Sequence, residues 1–279
     1  MNSPTPVLSQ IRSRLEGQSE TPGLDAQVLL AHIIGRPRSW VLAHPEVVLT
    51  SEQAGNLKSA LARLVQDEPL PYILGHWEFF GLDFLVTPAT LIPRPETELL
   101  VERALDWLRA HPGRRLAVDV GAGTGCIAVA LAVHNPDLRL LACDLSLEAL
   151  RVVQSNIQRH GVQERVSCLQ ADLLPALNQK VDLICSNLPY IPSETLQDLP
   201  VKRWEPFLAL DGGPDGLNLI RRLLTNAQGV LAPEGLVLLE IEERQGEATL
   251  QLARSVFSHS GVELIHDLAG RHRLICIQA

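Results

Sequence analysis

The chain lacks any run of 18 apolar residues, so no membrane-spanning helix is expected. Its first residues, MNSPTPVLSQIRSRLEG, lack the apolar centre of a secretory signal, and a soluble cytoplasmic protein is the expectation. It also lacks a basic excess: 24 Lys and Arg stand against 32 Asp and Glu, for a formal net charge of −8. That balance argues against a protein that grips nucleic acid through a broad basic surface and favours a protein or small-molecule partner. No direct nucleic-acid binding and no membrane association are expected. The five cysteines, Cys126, Cys143, Cys168, Cys185 and Cys276, are odd in number and lack CxxC pairing. They read as buried free thiols in a reducing compartment, which excludes a disulfide framework, a zinc site or a cysteine nucleophile. His32 and His44 lack partners at ligand spacing and read as structural or surface residues, so no metal is expected.

What is present is a globular chain of 279 residues, 46% hydrophobic and 20% charged, enough for one large domain or a large and a small one. From about Thr5 to Gln66 the apolar spacing is helical: Val7, Leu8, Ile11 and Leu15, then Leu24, Val28, Leu29, His32 and Ile33, with Gly35 and Pro37 as a stop. Thr50 and Gln53 form a capping-box signature for a third helix carrying Leu57, Leu61, Leu64 and Val65. This N-terminal bundle, residues 1–75, holds no catalytic constellation. The aromatic run 77–86 around Gly81 reads as a β-hairpin, and residues 76–93 as a hairpin linker. Pro95 suits the first position of a helix reaching about Ala110, with Glu96 and Glu98 complementing its positive end. Arg94, fixed between Pro93 and Pro95, is either an ion-pair residue or a guard at the mouth of a neighbouring site.

From Arg115 strands alternate with helices, with strands expected at 115–121, 138–145, 166–172, 181–187, 235–242, 262–269 and 272–279. Such alternation implies a mostly parallel seven-stranded sheet with helices on both faces. The last two strands, separated by Gly270 and Arg271, are too close for a parallel crossover and must be antiparallel. That α/β layout is the one used by class I methyltransferases, assigned here to residues 94–279. After the first strand comes Gly121-Ala122-Gly123-Thr124-Gly125, where glycines at alternate positions let the backbone turn sharply against a ligand. Cys126 stands where a dinucleotide fingerprint would have its third Gly, which weakens a nicotinamide reading. Asp144 ends the second strand, placed to accept both hydroxyls of an adenosyl ribose. Asp172, with Leu173 beside it, ends the third, suited to an adenine amino group and face. Asp119 precedes the Gly loop, placed to help balance a sulfonium charge.

Residues 181–192, VDLICSNLPYIP, read as a central strand ending in a rigid loop that delivers Asn187 to the sheet edge. At the switch point beside the first strand, this loop faces the reactive end of the ligand. It suits a planar NH2: the Asn187 side-chain oxygen and the outward Leu188 carbonyl accept its two hydrogens, and Tyr190 packs on its plane.

These segments, with LIPRPETE at 91–98 and WEPFLALDGGPDGL at 204–217, resemble the peptide chain release factor N5-glutamine methyltransferases, the HemK or PrmC family, along essentially the whole chain. The resemblance implies a Rossmann-like S-adenosylmethionine methyltransferase domain plus an N-terminal helical substrate-docking domain. It implies methylation of the Gln of the Gly-Gly-Gln motif of class I release factors, with S-adenosylhomocysteine as coproduct. By resemblance, Gly121, Ala122, Gly123, Thr124, Gly125, Asp144, Asp172, Leu173 and Asn187 hold the cofactor. Asn187, Leu188, Pro189 and Tyr190 hold the substrate amide, with Asn187 and Tyr190 catalytic. A monomer is expected. The family usually reads Asn-Pro-Pro-Tyr; here Leu188 replaces the first Pro, keeping the carbonyl in a looser loop. An N6-adenine methyltransferase, a ribosomal-protein glutamine methyltransferase and a non-catalytic adenosyl-ligand sensor are the competing readings.

Overall fold

A computed structural model describes residues 6–17, 19, 21–114 and 116–279, so that Thr5 and Arg115, at the expected starts of the first helix and first sheet strand, lie outside the described residues. The chain divides into two units, Met1–His76 and Trp77–Ala279.

The first unit holds α1 (Val7–Leu15), α2 (Pro22–Ile34), α3 (Arg38–Ala43), α4 (Ser51–Leu64) and α5 (Leu70–Leu74). At the start of α4, Gln53 N–H donates to Thr50 Oγ1 at 3.2 Å and Thr50 N–H donates to Gln53 Oε1 at 3.0 Å, the reciprocal pair the sequence encodes. Gly35 closes α2 in the left-handed region, φ 63°. Helix α2 buries Ala26, Leu29 and Leu30 and leaves Leu24 exposed, a shift from the expected stripe. Ala26, small and not counted as an anchor, continues the same three- and four-residue spacing. Residues 70–74 form a short helix: Pro71 sits in the first turn, where it needs no N–H donor, and Gly75 caps the end at φ 75°. His44 bonds the Trp40 carbonyl through Nδ1 at 2.8 Å, a local structural role.

A two-stranded hairpin follows, β1 (His76–Phe79) and β2 (Leu82–Leu85), with Phe80 and Gly81 both at positive φ, 52° and 73°. That is the turn whose twist matches the flanking strands. Phe79 and Phe84 are buried edge to face in the core of the second unit, so these aromatics serve packing.

The second unit is a seven-stranded sheet of β3 (Leu116–Val120), β4 (Arg139–Asp144), β5 (Val166–Gln170), β6 (Val181–Ser186), β7 (Leu231–Glu240), β8 (Gly261–His266) and β9 (His272–Gln278). Its order is β5-β4-β3-β6-β7-β9-β8, parallel through β7, with β9 antiparallel to both neighbours. Three expected strands end early: β5 stops at Gln170, β7 at Glu240 and β8 at His266, where Asp267 accepts backbone N–H groups of Ala269 and Arg271 and forms the turn, while β7 begins ahead of expectation at Leu231. Pro95–Thr97 is a 3-10 turn leading into α6 (Glu98–Ala110), where a single α-helix was expected.

The sheet has two apolar faces because side chains alternate along each strand. Ala117, Leu183, Cys185 and Leu238 pack with α6, α7 (Cys126–His134) and α8 (Leu147–Arg159). Val118, Val120, Ile184 and Val237 pack with α10 (Asn218–Val230) and α11 (Gly246–Val256). The remaining helix, α9 (Ser193–Asp198), is a short segment beyond β6. Cys126, Cys143 and Cys185 are buried free thiols; Cys168 and Cys276 are half-buried and also free.

Asn156 on α8 joins three segments: its Oδ1 accepts Leu85 N–H at 2.8 Å, and its Nδ2 donates to Leu85 O at 3.0 Å and Thr124 O at 2.9 Å. The side chain has no exposure, so its loss strands buried backbone groups of β2 and of the Gly-rich loop. Asn156→Ala is expected to lower unfolding free energy by roughly 2–4 kcal/mol, read by urea denaturation; a change within experimental error would remove this tie from the account.

Candidate active site

A cavity of about 420 Å³ opens at the carboxyl ends of β3, β4, β5 and β6. Its walls include residues 121–124 after β3, Asp144 at the end of β4, Asp172 and Leu173 beyond β5, and residues 187–189 after β6. Parallel strands deliver side chains to one edge in this way, and the crevice forms where β3 has neighbours on both sides, β4 and β6.

The Gly-rich loop is held from two directions. Gly121 N–H and Ala122 N–H both donate to the Cys143 carbonyl at 2.9 Å, and Gly123 N–H donates to Asp144 Oδ2 at 2.8 Å. Gly121, Gly123 and Gly125 have φ of 73°, 55° and 76°, a region that disfavours a Cβ. At Gly125 a Cβ would also lie 2.9 Å from Val153 Cγ1, so glycine is what lets α7 and α8 approach here. Asp144 Oδ1 accepts Ser146 N–H at 2.9 Å, which orients the carboxylate beside the loop. Asp172 is half-exposed and pairs with Arg222 at 2.7 Å, both on the cavity wall. Leu173, at φ 65°, is buried next to it.

On the other wall, Ser186 Oγ donates to Val120 O at 2.7 Å and secures the last rung of the β3–β6 pairing. Asn187 follows, its Nδ2 donating to Thr97 Oγ1 at 3.1 Å. Leu188 is buried, and its Cδ2 lies 3.1 Å from where a Cβ on Gly121 would stand. The expected loosening at this position finds no counterpart, because leucine fills the space against the Gly loop. No hydrogen bond reaches the Leu188 carbonyl among the described residues.

The next residues are braced by residues 211–217. Gly212 N–H donates to Ile191 O at 2.8 Å, and Gln245 Nε2 donates to Tyr190 O at 2.9 Å and to Asp215 O at 3.3 Å. At Gly216 a Cβ would stand 2.1 Å from the Tyr190 carbonyl oxygen. Arg94 pairs with the buried Glu205, whose other oxygen accepts Ile92 N–H at 3.3 Å, and Arg94 also lines the cavity. The two roles open for Arg94 are thus both filled: an ion pair, at the cavity wall.

Two expected residues are not among the cavity walls. Gly125 is the cap of α7, and the Tyr190 phenol has its pKa pushed up to about 12 by burial and by nearby Glu240. Asp119 also departs from expectation. It lies beneath the loop, fully buried, with Oδ2 accepting Ala128 N–H at 3.1 Å and Oδ1 unpartnered; burial raises its pKa to about 7. A carboxyl so placed holds the start of α7 and does not face a sulfonium. Thr97, Phe207, Leu208 and Arg222 line the cavity without having been singled out from the sequence. Phe207 and Leu208, large and exposed, carry the only local signal, two apolar residues in a turn rich in proline.

Comparison with known proteins agrees with this geometry. Residues 7–75 match the PrmC N-terminal domain family and residues 96–201 the methyltransferase small domain family. Over 265 residues the chain is 44% identical to the release factor glutamine methyltransferase of Moorella thermoacetica, covering 94% of this chain and 93% of that one. It is 40% identical over 259 residues to that of Escherichia coli K12, covering 92% of each. Among solved structures, a 16S rRNA N2 G1207 methyltransferase of T. thermophilus in complex with AdoMet and guanosine shares the fold at 14% identity, with a TM-score of 0.51 over 73% of this chain and 49% of that one. Identity of this order, sustained from the helical unit through the sheet, makes the chain a member of the release factor glutamine methyltransferase family.

Proposed function

We propose that this protein transfers a methyl group from S-adenosylmethionine to the side-chain amide nitrogen of the Gln in the Gly-Gly-Gln motif of class I peptide chain release factors, in translation termination. The observation that carries the reading is the Asn187 amide. With Nδ2 committed to Thr97, Oδ1 remains as an acceptor at the cavity wall, next to an unpaired Leu188 carbonyl.

The cavity residues fit the cofactor. Three glycines at positive φ leave backbone open to close approach, and each Asp144 oxygen keeps a lone pair beyond the one spent on the protein. A pocket of about 420 Å³, with Leu173 and Leu188 as apolar walls, is of the size that takes a ligand of this class. When bound, S-adenosylmethionine supplies a methyl carbon on positively charged sulfur. Gly121 to Thr124 would cradle it, Asp144 would accept ribose hydroxyls, and Asp172 with Leu173 would take the adenine.

An amide nitrogen is a weak nucleophile because its lone pair is delocalised into the carbonyl. Asn187 Oδ1 and the Leu188 carbonyl accept its two hydrogens and hold the lone pair in line with the methyl carbon. Pro189 restrains the residue that carries that carbonyl. Holding reactants in line can supply up to roughly 7–11 kcal/mol of a barrier. Methylation of the nitrogen would require one of the two held hydrogens to leave as a proton, and Asn187 Oδ1 and the Leu188 carbonyl are the acceptors that would favour its departure. Tyr190 supports this loop through its carbonyl, held by Gln245, a role that differs from stacking on the substrate.

We further propose a division of labour: residues 1–75 dock the release factor, 76–93 link, and 94–279 carry the chemistry with no metal, the protein acting as a monomer in the cytoplasm. The separate helical unit and its family match support this division.

Labelled methyl from S-adenosylmethionine should appear on a purified class I release factor, and not on the same factor with its motif Gln changed to Ala, nor on DNA. Label on DNA, or on both factor forms, would move the substrate elsewhere. In this assay Asn187→Ala is expected to lose roughly 100-fold or more in kcat with cofactor affinity largely kept; wild-type turnover would sink the acceptor role. Asp144→Ala should weaken cofactor binding roughly 10- to 100-fold by calorimetry, and an unchanged dissociation constant would remove the ribose assignment. Deletion of residues 1–75 should raise KM for the intact release factor and spare cofactor binding; an unchanged KM would contradict a docking role.

A further inference from the structure

We infer that Gln245, seated through Gly216, is a positioning residue for methyl transfer: by holding the loop behind Leu188 it aims the Leu188 carbonyl at the substrate amide. The inference rests on the reading of that carbonyl as one of two acceptors for the amide hydrogens. Asn187, the other acceptor, has its own support in Thr97. The Leu188 carbonyl has no hydrogen bond among the described residues, so its direction is set by the chain that follows it.

The peptide plane that carries this carbonyl ends at the Pro189 nitrogen, and the proline ring locks rotation about the next bond, with φ near about −65°. The carbonyl therefore turns only if Pro189 moves as a whole. Three successive residues oppose that movement. Pro189 O lies 2.8 Å from where a Cβ on Gly212 would stand, so the two backbones are in contact. Tyr190 O accepts from Gln245 Nε2 at 2.9 Å. Ile191 O accepts Gly212 N–H at 2.8 Å, and Ile191 N–H donates to Leu210 O at 3.1 Å.

Gln245 supplies the side-chain member of this set. It is buried just before α11, and the two hydrogens of Nε2 go to Tyr190 O and, at 3.3 Å, to Asp215 O. Both neighbours are carbonyl oxygens, so only the NH2 end of the amide satisfies them, and one nitrogen ties the substrate loop to residues 211–217. Gln245 Oε1 is buried without a partner among the described residues, so the hydrogen bonds of this side chain are spent on the two loops alone. Glycine at 216 makes the room: a Cβ there would stand 2.3 Å from Gln245 Nε2 and 2.1 Å from Tyr190 O. The run LDGGPDGL at 210–217, which carries no chemistry of its own, thereby acquires a use, since Gly212 and Gly216 let main chain close on the back of the loop. Gln245, Gly212 and Gly216 do not line the cavity, and their influence passes through the backbone of residues 189–191.

The test measures the single-turnover rate of methyl transfer to an intact release factor, KM for that factor, and the cofactor dissociation constant, in wild type, Gln245→Met, Gln245→Asn and Thr249→Val. Gln245→Met fills similar space and removes both hydrogen bonds, so the rate should fall about 10- to 100-fold with KM and cofactor affinity near wild type. Gln245→Asn keeps the donor but ends short of Tyr190, and its rate should fall likewise. Thr249→Val controls for damage to the same turn: it removes the 2.9 Å bond from the Thr249 hydroxyl to the Gln245 main-chain carbonyl and leaves the side-chain amide in place. Its rate should stay near wild type even where urea unfolding shows lost stability. A wild-type rate in Gln245→Met, an equal fall in Thr249→Val, or a loss confined to KM or to cofactor binding would each overturn the inference. If Gln245→Met does not fold, Gln245→Asn decides on the same readouts. Absence of transfer by the wild-type protein would instead fail the functional reading beneath it.

Discussion

The site depends on the last rung of the β3–β6 pairing. Val120 pairs with Ser186, and the Ser186 hydroxyl bonds the Val120 carbonyl just where both strands end. Beyond that rung the two chains part, one into the Gly-rich loop and the other into Asn187 and Leu188. The gap between them is set by backbone that is already hydrogen-bonded, so what lines it is held to the accuracy of the sheet. Each loop then has its own brace: the Cys143 carbonyl and Asp144 for the first, Gln245 and residues 211–217 for the second. A site built on strand ends in this way needs little help from its own side chains to keep its shape.

What was legible in the sequence was mostly what the backbone demands. Gly121, Gly123 and Gly125 announce themselves because positive φ is costly for other residues, and Pro189 because it stops a strand. Asp144 and Asp172 were legible because alternation of strands and helices sets where strands end. The errors came where local pattern was silent about distant partners. Residues 70–74 were not picked out as a helix of their own, since the two prolines at 69 and 71 mask the pattern, yet proline is tolerated in a first helical turn. Asp119 looked like a site residue from its position in the chain, but the inward face of β3 turned it under α7. Nothing in the spacing around Tyr190 pointed to the Gln245 side chain that holds its carbonyl. Thr97 stands 90 residues from Asn187 in the numbering, and no spacing rule connects them.

Two acidic side chains, Asp119 and Glu240, are buried within the sheet, each with one oxygen unpartnered among the described residues. Burial moves both toward neutrality, to about 7. They lie at the ends of β3 and β7, on either side of β6. A sheet optimised for stability alone would fill such positions with apolar residues, as it does at Val118, Val120, Val237 and Leu239. Their cost is placed on the two strands that flank β6, whose end lines the cavity.

The strand order also governs how the protein is made. β3 sits inside the sheet, yet both of its partners come later in the chain, β4 from residue 139 and β6 from residue 181. During synthesis β3 and the wholly apolar first seven residues of α7 leave the ribosome long before β6 exists to pair with them. The outer pairing of β7 with β9 forms last, since β9 ends at Gln278. The nascent chain therefore carries an open edge on β3 until residues 181–186 have been made, and the walls of the cavity are complete only once Arg222 has followed.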